Sequence, residues 1–261
     1  MTGRLRTIAV LTLSGLLITS ASIAVVPLAA ATAFRARRVY AAYTTRVARA
    51  VLWLCGVRVR LHGVLPPAGP PQVVYISNHS STIDLFVLVA LGLPNTRFFL
   101  SGYLRKVVPL AILARLMGTF FTVPQDRTAD RRRIFARACR VLERTRESVY
   151  LSPEGGRVTT GRIGAFNKGA FHLAAALGAP IVPLYFLIPS HMDPGRGYGV
   201  RPGQVEVFVK PAIETIDWRV DDLVRHKDAV RELFVAWHRE ARRHRDGAPP
   251  STHSPAEAVH A

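Results

Sequence analysis

Cysteine is almost missing from this chain: Cys55 and Cys139 are the only two in 261 residues. Two cysteines make no disulfide framework, which fits a reducing compartment. No paired Cys/His spacing offers a metal site, and no GxSxG elbow presents a nucleophilic serine. Acidic residues are also scarce, with 17 Asp and Glu against 35 Lys and Arg and a formal net charge of +18. Such an excess favours polyanionic partners, whether nucleic acid, anionic lipid surfaces or phosphorylated substrates. What the chain does have is apolar matter. It is 49% hydrophobic and 20% charged, the composition of a folded protein long enough to bury a full core.

Charge is absent altogether from Thr7 to Phe34. An uncharged apolar run of that length is enough for a helix to cross a bilayer. The small residues of LAAATA would suit a cleaved leader, but the run is long for one. Residues 1–34 are therefore expected to be a retained N-terminal membrane helix. Arg35, Arg37 and Arg38 outnumber Arg4 and Arg6 on the other side, which predicts a catalytic domain on the cytoplasmic side of the membrane.

Residues 35–62 read as an amphipathic helix and a lead-in strand. Val39, Tyr43, Val47, Ala50, Val51 and Leu54 fall on one helical face, suited to a membrane surface or to a core; VRVRLHG alternates as a strand. From 63 to 245 strand and helix patterns alternate. Strands are expected at 72–77, 97–100, 118–123, 148–152, 180–187 and 204–210. Helices are expected after Thr82, over 104–117 with an interruption at Pro109, over 129–147, from Lys168 to a cap at Gly178, and over 221–245. Residues 246–261 read as a disordered tail. The fold class is α/β, a single domain with a central mixed sheet flanked by helices.

Three polar clusters fall where strands end, the place where α/β sheets gather their ligands. SNHSSTID (77–84) follows the second strand, PQDR (124–127) the fourth, and SPEGGR (152–157) the fifth. In the first, His79 and Asp84 lie five residues apart, about 140° around a regular helix, so they face apart if both are helical. They meet only if His79 precedes a helix whose first turn holds Asp84; the carboxylate then orients the imidazole as a general base. A capped polar turn, with Asn78 or Ser80 as cap, accounts for the same residues. In the second cluster Arg127 stands beside Asp126, and a solvated turn is the simpler account. In the third, Gly155 and Gly156 allow close backbone approach and Arg157 can grip an anion, with Glu154 bonding a hydroxyl or steadying Arg157; an ordinary Gly-Gly turn is the alternative.

Taken together these blocks resemble the glycerolipid acyltransferase family, typified by 1-acylglycerol-3-phosphate acyltransferase. The family's Asn-His, four residues, Asp is here Asn78-His79-SSTI-Asp84. Its Pro-Glu-Gly-Thr-Arg appears as Pro153-Glu154-Gly155-Gly156-Arg157, its Lys-Gly helix start as Lys168-Gly169, and its apolar proline block as Ala179 to Leu184. The resemblance implies that His79 and Asp84 are catalytic. It also implies that Asn78, Arg127, Glu154, Gly155, Gly156, Arg157 and Lys168 bind substrate. An acyl group would pass from acyl-CoA or acyl carrier protein, as co-substrate and with no cofactor or metal, to a lysophospholipid at the membrane. Three departures touch the acceptor side: Gly118 and Arg127 are too widely spaced, Ser101 stands where lysine is common (with Arg105 and Lys106 nearby), and Gly156 replaces threonine. A lyso-aminolipid is thus an alternative acceptor, and a thioesterase is an alternative use of the same pair. A nucleic-acid partner is not expected, because the arginines of 131–146 and 239–245 sit on helices without interleaved aromatics.

Overall fold

A computed structural model of the chain describes residues 3–192 and 199–245. The tail expected over 246–261 lies outside the described residues. Seven strands form one sheet: β1 (Val57–His62), β2 (Val74–Ser77), β3 (Thr96–Ser101), β4 (Phe120–Thr122), β5 (Ser148–Leu151), β6 (Ile181–Leu187) and β7 (Gly203–Val209). Their order is β1-β7-β6-β2-β5-β3-β4. The β6–β7 pair alone is antiparallel, which makes the sheet mixed. β1 pairs in register along β7 and so belongs to the sheet as its edge strand, not to a separate lead-in.

Side chains alternate along the strands and feed two cores. On one face Tyr75, Phe98, Tyr150, Val182, Leu184 and Phe186 pack beneath four helices: α1 (Gly3–Ala31), α2 (Arg37–Cys55), α3 (Asp84–Leu91) and α4 (Val108–Leu116). On the other face Val74, Ile76, Phe99, Val149, Ile181 and Tyr185 pack beneath α5 (Thr128–Thr145), α6 (Gly169–Leu177) and α7 (Leu223–Arg245). In α5 the buried contact is made by Ala138 and Leu142, one turn apart. Gly178 ends α6 in the left-handed conformation expected of it, its N–H returned to the Ala175 carbonyl and that of Ala179 to the Ala174 carbonyl.

α1 is long and apolar enough to cross a membrane. It buries a stripe of Ser14, Ile18, Ala21, Ser22, Val25 and Ala29 against the protein, while Leu5, Ile8, Leu16 and Ile23 point outward. Four of these six inward residues are small, and small side chains let backbones approach. Polar atoms fix the contact: Ser22 donates to the Pro109 carbonyl at 2.8 Å and Tyr43 to the Ala21 carbonyl at 3.0 Å.

Two expectations are corrected here. α2 buries Tyr40, Thr44, Val47, Ala48, Val51, Leu52 and Cys55, a face turned from the expected one, and Val39 is exposed. The reason is that α2 is sandwiched between α1 and α3. From α2, Thr45 and Arg49 donate to the Val89 and Ala90 carbonyls at the end of α3, at 3.1 and 2.9 Å. Pro109 does not interrupt a helix over 104–117. A short 3-10 helix (Gly102–Lys106) ends first, and Pro109 sits in the opening turn of α4, where a missing N–H breaks no bond.

Leu142 is fully buried, at 0% exposure. Leu142→Ala is expected to cost about 2–5 kcal/mol, read as a lower urea midpoint with an unchanged slope.

Candidate active site

Strands β2, β5, β3 and β4 are parallel neighbours, so their C-terminal ends open at one edge of the sheet. That topology brings all three polar clusters to one cleft of about 1220 Å³, whose lining includes His79 and Asp84, Gln125 and Arg131, and Gly155 and Arg157.

His79 lies outside α3, and Asp84 is the first residue of that helix. The imidazole Nδ1 is 2.8 Å from Asp84 Oδ2. A carboxylate can only accept, so Nδ1 carries the proton and Nε2 keeps its lone pair. The same Oδ2 also accepts from the backbone N–H groups of Ser80 (2.8 Å) and Ser81 (3.0 Å). The carboxylate thus caps the turn and aims the ring at once. The His79 side chain is 32% exposed and that of Asp84 only 7%, so the base is reachable while its partner is shielded. Beneath them Tyr150 shares a 2.7 Å hydrogen bond with Ser77 Oγ, and burial pushes its phenol well above the usual range.

The loop after β5 is laced to the histidine. Glu154 Oε2 accepts from the His79 N–H at 2.5 Å and Oε1 from the Gly164 N–H at 2.7 Å, while the Val158 N–H donates to the His79 carbonyl at 2.8 Å. Burial holds the Glu154 carboxyl above its ordinary range, and those two amides offset only part of the rise. Gly155 has φ +68°, and a Cβ there would lie 2.7 Å from Asn167 Nδ2, so the turn requires glycine. Gly156 has open space around it. Arg157 reaches across the cleft mouth and donates to Thr82 Oγ1.

Four predicted substrate contacts change role. Asn78 is buried and spends its amide on strand β6: Nδ2 donates to the Phe186 carbonyl at 2.9 Å and Oδ1 accepts from the Phe186 N–H at 2.8 Å. Glu154 is likewise committed to backbone amides and does not hold Arg157. Arg127 and Lys168 are exposed and do not line the cleft. Arg127 precedes α5 and its side chain faces solvent; Arg131, one turn later, lines the cleft and donates to the Val123 carbonyl at 3.0 Å. In place of Lys168, its neighbour Asn167 holds the loop, its backbone N–H donating to the Pro153 carbonyl at 2.7 Å and its Nδ2 to the Pro153 and Glu154 carbonyls at 3.0 and 3.1 Å. Gln125 and Tyr150 also line the cleft and escaped the sequence reading. A four-residue step along α5 from Arg127 was the available signal for Arg131.

One wall of the cleft is apolar, with Leu85, Phe86, Leu88, Leu100 and Leu110. Positive charge rims the rest: Arg105, Lys106, Arg131 and Arg157. Ser101 lines it as well, its hydroxyl accepting from the Tyr103 N–H. Among the described residues no three His, Cys, Asp or Glu side chains are grouped as a metal site requires.

Comparison with known proteins agrees with this architecture. The sequence model of the acyltransferase family matches residues 57–187, from the start of β1 to the end of β6. A 1-acyl-sn-glycerol-3-phosphate acyltransferase of Limnanthes alba is 32% identical over 192 residues, 71% of this chain and 65% of that one. The alpha enzyme of the same name from Homo sapiens is 28% identical over 203 residues, 73% of this chain and 67% of that one. The crystal structure of the 1-acyl-sn-glycerophosphate acyltransferase PlsC from Thermotoga maritima superposes with a TM-score of 0.65 at 16% identity, covering 88% of this chain and 97% of that one. The chain belongs to the acyltransferase family. These relatives share the name 1-acyl-sn-glycerol-3-phosphate acyltransferase. It spans about two thirds, 65%, of the length of the Limnanthes relative.

Asn78→Ala tests the revised role. It leaves both Phe186 backbone groups without their partner, so a stability loss of about 1–3 kcal/mol per unpaired group is expected in denaturant unfolding. In the fraction that remains folded, KM for the acceptor should stay as in the wild type; a raised KM with unchanged stability would restore Asn78 to the substrate site.

Proposed function

We propose that this chain is an O-acyltransferase that moves a fatty acyl group from acyl-CoA or acyl carrier protein to the free hydroxyl of a lysophospholipid, most specifically 1-acylglycerol-3-phosphate, giving phosphatidic acid. One observation carries the reading: a reachable imidazole, oriented by a buried carboxylate at 2.8 Å, stands in a cleft apolar on one wall and basic around its rim. A lysophospholipid has that same duality, an acyl chain and an anionic head.

In the reaction His79 Nε2 takes the proton of the acceptor hydroxyl as its oxygen attacks the thioester carbonyl carbon. The new C–O bond forms, the C–S bond breaks, and the imidazolium returns the proton to the departing thiolate. Asp84 stabilises the imidazolium in between and keeps the ring in the required tautomer. The thioester is already activated, so the donor is a co-substrate and the mechanism calls for no cofactor. Arg157, with Arg131, Arg105 and Lys106 along the rim, is assigned to the acceptor's phosphate, where guanidinium groups suit bidentate contact. The apolar wall takes the acyl chain. α1 keeps the enzyme at the lipid surface, with the catalytic domain on the cytoplasmic side.

Ser101 favours a second acceptor, a lyso-aminolipid, because the lysine common in the family is replaced by a neutral side chain. Arg105 and Lys106, on the same cleft, weigh toward the phosphate. Purified protein given labelled acyl-CoA and a panel of lysolipids separates the two, and free fatty acid formed without any acceptor would instead indicate a thioesterase.

His79→Ala is expected to lower kcat about 100- to 10,000-fold with fold and membrane association intact. A folded, membrane-bound His79→Ala protein that acylates at the wild-type rate would remove the proposal.

A further inference from the structure

Helix α5 carries a row of arginines that the cleft does not use. Arg133, Arg137, Arg140 and Arg144 follow one another at steps of four, three and four, so they lie along one face over about 16 Å. All four are exposed. The acidic residues of the helix do little to neutralise them. Asp130 approaches Arg133 at 3.8 Å, with the arginine largely in solvent and the carboxylate about half exposed, and the Glu143 carboxylate accepts from Cys139 Sγ at 3.2 Å. Among the described residues no ion pair within 4 Å holds Arg137, Arg140 or Arg144.

Placement narrows what this ridge meets. α5 starts at the cleft, where Arg131 and Phe135 form part of the lining, and the arginine row runs from there along the outer surface. α5 covers one face of the sheet, whereas α1, with its outward Leu5, Ile8, Leu16 and Ile23, belongs to the layer on the other. A lipid surface engaging α1 therefore lies across the sheet from the arginines. The ridge therefore faces away from such a surface, and it begins within one turn of side chains that line the same cleft as His79. A row of rigid, always-charged forks spaced along a helix is complementary to an acidic protein surface, and such charge pairing sets encounter rate and orientation more than final tightness.

Resting on the acyltransferase reading above, we infer that the α5 ridge is the docking surface for an acidic acyl carrier protein, which presents its thioester to the cleft from the solvent side. Free acyl-CoA, a small molecule, reaches the same catalytic pair without the ridge. The two donors should accordingly respond differently to its charge.

The test uses the full chain in vesicles or detergent, with acyl carrier protein and acyl-CoA of the same chain length as alternative donors. The triple variant Arg133→Glu, Arg137→Glu, Arg140→Glu is expected to raise KM for the acyl carrier protein at least tenfold. KM for acyl-CoA should stay within twofold, a readout that also certifies folding. The matching triple lysine variant should keep most of the carrier-protein activity, and raising salt should weaken carrier-protein use in the wild type more than acyl-CoA use. The inference is overturned by equal losses with both donors, by no loss with either, or by a wild-type enzyme that accepts acyl-CoA alone; in this last case the acyltransferase reading stands. Loss of binding to anionic vesicles in the glutamate variant would reassign the ridge to a membrane surface and equally overturn it. A wild-type chain that transfers from neither donor would remove the acyltransferase reading and this one together.

Discussion

The site hangs on one oxygen atom. Asp84 Oδ2 accepts from the His79 ring and from the amides of Ser80 and Ser81, all within 3.0 Å. Because the acceptor is charged, these bonds are stronger than neutral ones, and burial at 7% exposure keeps water from competing for them. A single carboxylate at the first position of α3 thus sets the turn that leads into the helix and the direction of the imidazole. The elements around it have the same purpose. Asn78 ties the preceding residue to β6, Glu154 and Val158 tie His79 to the loop after β5, and Arg49 and Thr45 hold the far end of α3 from α2. The His79 ring is thereby held in one geometry by contacts with β6, with the loop after β5 and, through α3, with α2.

The same architecture keeps apolar and charged surface apart. The cleft is apolar where α3 and α4 contribute and basic where the loops and the start of α5 contribute. Across the molecule the division repeats on a larger scale: apolar surface on α1, positive charge on α5. The net charge of +18 is therefore arranged, with part of it rimming the cleft and part on the opposite layer from the apolar helix α1.

Local pattern told most of the fold in advance. Strand periodicity located all seven strands, and the requirement that His79 precede the helix begun by Asp84 follows from helix geometry alone. Where the reading went astray, a neighbour in space was the cause. The buried face of α2 is turned because two helices pack on it, which a single amphipathic stripe does not reveal. Pro109 opens a helix because a 3-10 turn ends just before it. Asn78 and Glu154 are polar residues in a polar cluster, and nothing in their own segments says that their partners are backbone groups of β6 and of residue 164.

By itself, then, the sequence determined the α/β class, the apolar N-terminal helix and the basic charge, because each follows from composition or from periodicity within a short segment; for His79 and Asp84 it set only the condition under which they meet. Tertiary structure alone decided which arginines face the cleft. Arg131 is in the cleft and Arg127 is not, since the loop after β4 turns Arg127 outward before α5 begins its first turn. It also decided that Asn167, not Lys168, steadies the glycine turn, and that one helix points its positive charge away from the layer that holds the apolar one. Direction in space depends on contacts between segments distant in the chain, and no local pattern encodes it.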